Sequence, residues 1–255
     1  MQGKGNVIIR VIAFYLLTLG LTIFLGGFQQ AQGWYTEGLI LAQFAPALAA
    51  MLLIILNKRR KIKQFLVHRA GKPRRKSLRC FTYAFWLPVG IIGITVLVLL
   101  LFSLYSGPER GFSWGILLTV LFIALGAFGE EMGWRAYLQP QAEKLLPPIK
   151  ATPIVALLWA AWHVSVYSRE LGFIVLFFLF IFFLSIIIRF VIMFSGFNVW
   201  AATVFHAVLN ILWFFFLPVR LSITAQGVLT LVAGVFALFL LFLAARAEFI
   251  ARTTG

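Results

Sequence analysis

Aspartate is absent from this sequence of 255 residues, and seven glutamates supply all of its acidic side chains. A membrane protease whose active site depends on two aspartates is therefore excluded. The single cysteine, Cys80, excludes an internal disulfide and any metal site built from several cysteines. The zinc motif H-E-x-x-H is also missing, which disfavours the membrane metalloproteases that carry it on a helix. Ser195 and Gly196 form only half of the pattern expected around a serine nucleophile in a membrane helix.

Apolar residues dominate the chain. They make up 62% of it, they include 28 Phe, and the mean hydropathy is +1.01. These values lie far outside those of soluble proteins and indicate a polytopic membrane protein. We predict an all-α fold, a transmembrane helical bundle of about eight spans that forms a single membrane-embedded domain over residues 1–255. The predicted spans are residues 7–28, 39–56, 81–106, 112–138, 152–168, 171–194, 197–217 and 223–245.

Positive charge is distributed unevenly along the chain. Lys and Arg number 22, and half of them lie in residues 57–79, which the positive-inside rule makes a basic cytoplasmic loop. With eight spans, both termini lie in the cytoplasm, and only Arg110, Arg169 and Arg220 lie outside. We therefore expect an integral protein of a bacterial plasma membrane that contacts membrane lipid and binds no nucleic acid. We expect the first span to be retained and not cleaved as a signal peptide.

The fourth predicted span ends in two adjacent carboxylates and an arginine. Glu131 and Arg135 are four residues apart, which places them on one helix face as an ion pair. Glu130 lies about 100° away around the helix and is left free for chemistry. Gly129 and Gly133 allow another helix to approach closely. Ionisable groups at membrane depth are costly and indicate a functional site, although a solvated cluster at the end of a span is the simpler alternative.

Two later spans carry the remaining polar candidates. His163 shares a helix face with Trp159, and His206 shares one with Asn210. A lone histidine in an apolar helix is more often a packing residue, and a lone asparagine usually bonds a neighbouring helix. Glu130, His163 and His206, however, all lie roughly 12–17 Å from the cytoplasmic ends of their predicted helices. This common depth predicts that the groups converge in a buried polar pocket, within a catalytic core at about residues 112–217.

Such a pocket can hydrolyse an amide. Glu130 can deprotonate a water molecule and later protonate the leaving amine, while His206 and Asn210 donate hydrogen bonds to the oxyanion. Glu131 is either a second catalytic group or the structural partner of Arg135. His163 either orients the water or, with Glu130 and His206, holds a zinc ion. Spacing alone leaves both alternatives open, zinc-bound water and water activated by glutamate without a metal.

The order of the three motifs resembles that of one protein family. E-E-x-x-x-R at Glu130 to Arg135, then an aromatic residue four positions before His163, then H-x-x-x-N at His206 to Asn210 resemble the CPBP intramembrane proteases, also called the CAAX-processing/Abi family. The resemblance covers about residues 127–210. It implies an eight-helix bundle that cleaves a peptide bond in the membrane, and it gives the first glutamate, both histidines and the asparagine the catalytic roles above.

The resemblance leaves the substrate open and includes two departures. Eukaryotic members remove the terminal tripeptide of prenylated proteins, whereas bacterial members are linked to bacteriocin self-immunity or peptide maturation. We therefore expect a peptide or protein substrate that is prenylated or bacteriocin-like. Trp159 replaces a frequent Phe and is expected to alter pocket width as structural support for the site. Val164-Ser165 follows His163 where bacterial members often have proline, which concerns the course of the helix.

Two functions from other classes compete with proteolysis. A non-catalytic membrane binding protein, such as a bacteriocin-immunity factor, would keep the pocket without the reaction. A proton-coupled transporter would use Glu130 and the histidines as a proton relay. The transporter is less favoured because the polar groups share one depth, and because no inverted repeat or pair of broken helices is present in the sequence.

Overall fold

The chain folds into a bundle of helices in the computed structural model, which describes residues 4–34, 38–57, 78–108, 115–196 and 198–253. No strand occurs in these residues. The α-helices are α1 (Lys4–Ala31), α2 (Ala45–Asn57), α3 (Leu78–Leu101), α4 (Ile116–Glu131), α5 (Gln139–Ala142), α6 (Pro148–Trp162), α7 (Leu171–Phe194), α8 (Val199–Phe216) and α9 (Ile223–Thr253). Two 3-10 segments, Leu41–Phe44 and Val164–Ser168, and a π-helix, Met132–Leu138, complete the list. The helical content confirms the all-α prediction.

Six helical stretches in the described part of the chain are long and apolar enough to cross a membrane. They are Lys4–Ala31, Cys80–Leu101, Ile116–Ala142, Leu171–Phe194, Val199–Phe216 and Ile223–Arg246. Two shorter apolar helices, Leu41–Leu56 and Pro148–Trp162, lie where the second and fifth spans were predicted. Because a full span needs about 20 residues, these two fall short of it. The polytopic bundle is confirmed, with six full-length spans among the described residues.

Several predicted boundaries are wrong. The helix of the fifth predicted span, α6, begins at Pro148, since proline suits the first turn of a helix, and it ends at Trp162 instead of residue 168. His163 has φ −74° and ψ 70°, outside the helical region, and a 3-10 turn follows it. β-Branched Val164 and Val166 lower helix propensity in this turn. The third helix ends at Leu101 instead of residue 106. The predicted basic loop, residues 57–79, lies outside the described residues except for its two ends.

Glycines on α4 and the π-helix allow the 3-10 turn and the start of α2 to approach closely. A Cβ atom on Gly133 would lie 2.3 Å from Cβ of Pro46, and one on Gly129 would lie 2.9 Å from the carbonyl oxygen of Gln43. A Cβ on Gly126 would come within 2.1 Å of the side-chain oxygen of Gln43. The predicted close approach at Gly129 and Gly133 is therefore confirmed. Its partner is the segment that runs from the 3-10 turn into α2.

The packing of the other helices completes the walls of the site. α8 packs extensively against α3 and α4, and α7 packs against α6 and α9. Large apolar side chains remain exposed on the outer faces of several helices, among them Ile9 on α1, Leu101 on α3 and Leu231 on α9. Exposed apolar surface on this scale suits contact with lipid. The polar side chains described below are enclosed by these helices.

Candidate active site

The two glutamates lie where the α-helix changes into a π-helix. Glu130 and Glu131 are the last residues of α4, and the seven residues of Met132–Leu138 that follow are π-helical and buried. Segments of π-helix are rare in proteins, and those that occur often lie at functional sites. The wider turn carries Arg135, so the motif E-E-x-x-x-R spans the junction of two helix types. Nothing in the sequence predicted this change.

The carboxylate of Glu131 contacts two side chains, Arg135 and His206. Its Oε2 lies 3.2 Å from Nε of Arg135, which confirms the predicted ion pair, although the two atoms are not aligned for a hydrogen bond. Nδ1 of His206 donates a hydrogen bond of 2.9 Å to its other oxygen, a contact that was not predicted. Arg135 also donates to Oγ of Ser185 at 3.2 Å. Glu131 is fully buried, so these partners are what compensates its charge.

Glu130 has different partners on a different face of the helix. Nε1 of Trp159 donates a hydrogen bond of 2.9 Å to Oε2 of Glu130. The side-chain amide of Gln43 donates one of 3.2 Å to Oε1. No ion pair involves Glu130 within the described ranges. Its separation from the Arg135 ion pair was predicted correctly, and each of its oxygens accepts one neutral hydrogen bond that was not predicted.

The indole of Trp159 contacts every charged or titratable group of the site except Glu131. Its ring centroid lies 5.9 Å from the ring of His163 and 5.4 Å from that of His206. The guanidinium carbon of Arg135 lies 4.5 Å from the centroid of the indole ring, within the range of a cation–π contact. Together with the hydrogen bond to Glu130, these contacts place three helices around one side chain. The predicted convergence of Glu130, His163 and His206 therefore occurs around Trp159.

The tautomers of the histidines follow from their hydrogen bonds. Nδ1 of His163 lies 2.8 Å from the backbone oxygen of Trp159. Because a carbonyl oxygen only accepts, this nitrogen carries the proton, and Nε2 of neutral His163 presents a lone pair. Nδ1 of His206 likewise donates, since its partner Glu131 is a buried carboxylate beside Arg135. Nε2 of His206 is the nitrogen on the opposite side of the ring, and it is left for other partners.

Asn210 lies one turn beyond His206 and lines an open cleft of about 370 Å³. Gln43 lines the same cleft, so the amide that bonds Glu130 also faces the space beside Asn210. The other lining residues are apolar or glycine: Gly38, Ile40, Ile123, Trp213 and Phe214. The side chain of Asn210 forms no hydrogen bond with any residue that the structure describes. Its amide is therefore available to a molecule in the cleft.

The predicted zinc ligands do not form a ligand set as they are placed. Within the described ranges, no group of three or more His, Cys, Asp or Glu side chains is arranged to hold a metal ion. Both oxygens of Glu130 accept hydrogen bonds from protein donors, and the indole of Trp159 contacts both imidazole rings. Zinc held by Glu130, His163 and His206 stays a prediction from the sequence, and no step below is assigned to a metal.

Sequence reasoning missed two residues of the site and one cluster beside it. Gln43 stands in an apolar predicted span and Ser185 in an almost entirely apolar helix, so a single polar residue in an apolar run was the available signal.

The neighbouring cluster joins α5, α6 and α7. Arg189 pairs with Glu143 at 3.0 Å, and Gln139 donates to Glu143 at 2.8 Å and to Thr152 at 3.3 Å.

Trp159 contributes more than an aromatic ring. Its indole N–H donates a hydrogen bond to Glu130, which the frequent Phe could not do, and the expected change in pocket width stays a prediction. Ser195 shows no sign of a nucleophile, since its hydroxyl donates to the backbone oxygen of Ile192 at 2.8 Å at the end of α7. This agrees with the half pattern found in the sequence.

Comparison with known proteins gives two matches. Residues 112–212, which contain all the predicted site residues, match the family model described as Type II CAAX prenyl endopeptidase Rce1-like. A protein of Methanococcus maripaludis named CAAX prenyl protease 2 is similar to this chain, with 24% identity over 186 residues, which cover 66% of this chain and 68% of the relative. Together with the six long apolar helices, these matches indicate an integral membrane endopeptidase that acts on a peptide or protein. Over the residues that carry the site, the chain is therefore similar to the CPBP/CAAX intramembrane proteases.

Proposed function

We propose that this protein hydrolyses a peptide bond in the membrane with a water molecule activated by Glu130. The observation that carries the proposal is the common contact of Glu130, His163 and His206 with the indole of Trp159. An acid–base carboxylate and two imidazoles held by one side chain form a catalytic arrangement, whereas packing alone would not require them to meet.

The reaction needs one proton to move twice. Glu130 removes a proton from water while Nε2 of His163, with its lone pair, accepts a hydrogen bond from the same water and orients it. The water oxygen bonds to the carbonyl carbon and gives a tetrahedral oxyanion. Glu130 then returns the proton to the amide nitrogen, the C–N bond breaks, and a carboxylic acid and an amine leave. The proton taken from water is the one given to the amine, so the reaction needs no further acid or base.

His206 and Asn210 are the proposed donors to the oxyanion. They lie on one face of α8, and Asn210 lines the cleft in which the substrate would lie. For Nε2 of His206 to donate, both ring nitrogens must carry protons, a form that the Glu131 carboxylate at Nδ1 stabilises. Glu131 then acts as a positioning residue for His206, with Arg135 as its counter-ion.

The substrate is proposed to be a peptide held at the membrane by a lipid chain. The name of the similar protein, CAAX prenyl protease 2, refers to prenylated substrates, and apolar side chains dominate the walls of the cleft. A farnesylated peptide, the same peptide without the lipid, and an apolar bacteriocin-like peptide separate the possibilities. Equal cleavage of the first two would contradict the proposed role of the lipid.

The location is proposed to be a bacterial plasma membrane with both termini in the cytoplasm. The distribution of Lys and Arg supports this orientation. Cysteines introduced singly at each terminus of a Cys80→Ser variant would react with a membrane-impermeant reagent only from the cytoplasmic side. Labelling of either terminus from outside intact cells would overturn it.

The reaction is tested with purified protein in detergent. Glu130→Gln keeps the shape of the side chain but cannot take a proton, so turnover should fall by about 10²- to 10⁴-fold. His206→Ala should lower it by about 10²- to 10³-fold. Glu143→Gln, outside the site, is the matched control and should keep near wild-type turnover. Undiminished cleavage by Glu130→Gln would refute the proposal, and full peptide binding with no cleavage by the wild-type protein would indicate a binding protein instead.

A further inference from the structure

The carboxylate of Glu130 is held from two sides by residues of other elements. Trp159 on α6 bonds Oε2, and Gln43 in the 3-10 turn before α2 bonds Oε1. Gln43 lies outside residues 112–212, which match the family model. We propose that Gln43 is a positioning residue that, with Trp159, clamps the carboxylate of Glu130 in the orientation needed to activate water. This inference rests on the proposed function.

The backbone around Gln43 is fixed by several contacts. Its N–H donates to the oxygen of Ile40 at 3.0 Å, which closes the 3-10 turn. The side chain of Gln29 donates to the oxygen of Leu39 at 2.6 Å and accepts from the N–H of Leu41 at 2.9 Å. The close approach to α4 at Gly126 leaves no space for a larger residue there. The amide of Gln43 therefore has few alternative positions.

Two neutral donors suit a general base better than one charged donor. Each oxygen of a carboxylate can accept about two hydrogen bonds, so one N–H on each oxygen fixes the plane of the group and leaves a lone pair for water. Arg135, His163 and His206 also interact with Glu130 electrostatically, but none of them bonds it directly. Direction therefore comes from Gln43 and Trp159.

Gln43 also connects the base with the substrate cleft. Its side chain lines the cleft that Asn210 faces. A displaced Gln43 would change both the direction of Glu130 and one wall of the space beside Asn210. The expected consequence is a fall in kcat, because the reacting atoms lose alignment, with little change in KM.

The test compares variants that remove one donor each. Gln43→Met keeps the length of the side chain and Trp159→Phe keeps an aromatic ring, and each should lower kcat about 3- to 10-fold, the worth of one hydrogen bond, with KM within about twofold of wild type. In a Glu130→Gln background, Gln43→Met should cause no further loss of the residual rate. A purely structural role predicts the opposite, since the loss would persist without the base.

Matched controls carry the same substitutions away from Glu130. Gln226 is fully buried in α9 and donates to Thr230 at 3.3 Å, and the ring of Trp86 on α3 is mostly exposed. Gln226→Met and Trp86→Phe should keep kcat within about twofold of wild type, the same margin that the test sets for KM. An equal loss of kcat in these controls would overturn the inference.

The result separates the inference from the proposed function. If Glu130→Gln cleaves normally, the proposed function fails. If Glu130→Gln is inactive while Gln43→Met keeps wild-type kcat, only the clamp is refuted. Should Gln43→Met give no folded protein, Gln43→Asn, which retains the amide but is one methylene too short, takes its place with the same expected loss of kcat.

Discussion

Glu131→Gln should destabilise the protein strongly, because it removes the negative charge that compensates Arg135. The side chains of Arg135 and Glu131 are 2% and 0% exposed, so water cannot replace the lost partner. The two groups are at ion-pair distance without hydrogen-bond alignment, and a neutral amide therefore keeps little of the interaction. Of its direct contacts, Arg135 would retain only Ser185 and the indole of Trp159, and the charge of Glu130 would act on it without a hydrogen bond.

The expected loss is about 3–5 kcal/mol, as for other buried ion pairs that lose one partner. This corresponds to a rise in the unfolding equilibrium constant on the order of 10²- to 10⁴-fold. A partly exposed pair provides the comparison. Arg189 and Glu143 are 10% and 20% exposed in their side chains, so Glu143→Gln should cost no more than about 1–2 kcal/mol, closer to the range of surface pairs.

The assay is reversible unfolding in mixed micelles, followed by circular dichroism against the fraction of denaturing detergent. The double variant Glu131→Gln/Arg135→Met removes both charges and should recover most of the lost stability, since a neutral pair of similar volume avoids the uncompensated cation. Wild-type stability in Glu131→Gln, or a double variant no more stable than the single one, would refute the charge argument. Activity should stay low in both variants, because His206 loses the carboxylate at Nδ1.

Three further predictions concern packing, the cleft and the metal. Gly133→Ala should cost about 1–3 kcal/mol in unfolding free energy because its Cβ would meet the backbone of Pro46, whereas Gly93→Ala, with nothing within 4 Å, should not destabilise. Asn210→Ala should lower kcat about 10²- to 10³-fold at unchanged melting temperature, and a matching loss of stability would contradict its assignment to the cleft. Treatment with a zinc chelator should leave cleavage unchanged and metal analysis should find less than one zinc per chain; loss of activity restored by zinc would favour the metal alternative.

The sequence was informative wherever a contact is local. Four-residue spacing on a helix predicted the ion pair between Glu131 and Arg135, and the small side chains of Gly129 and Gly133 predicted a close approach. Long apolar runs predicted the helical bundle, since backbone groups in lipid must bond within the segment. Each of these depends on residues that are near one another in the chain.

Other features depend on tertiary contacts that spacing does not encode. The end of α6 at Trp162 places His163 outside the helix, yet its ring still bonds the backbone of Trp159. Gln43 reaches Glu130 across 87 residues of sequence, and a lone amide in an apolar run gives no indication of its partner. The π-helix after Glu131 also has no signature in residue pattern, because its geometry depends on how the buried turn packs.

The neighbouring glutamates divide two incompatible tasks between two faces of one helix. A carboxylate paired with a guanidinium is stabilised in its charged form and is a weaker base. Glu131 takes the charged partner Arg135 and orients His206, and Glu130, about 100° away, receives only the neutral donors Trp159 and Gln43. The buried cation is thus compensated without ion pairing to the proposed base. Adjacent acids in this motif are therefore needed together, since one carboxylate could not serve both the arginine and the water.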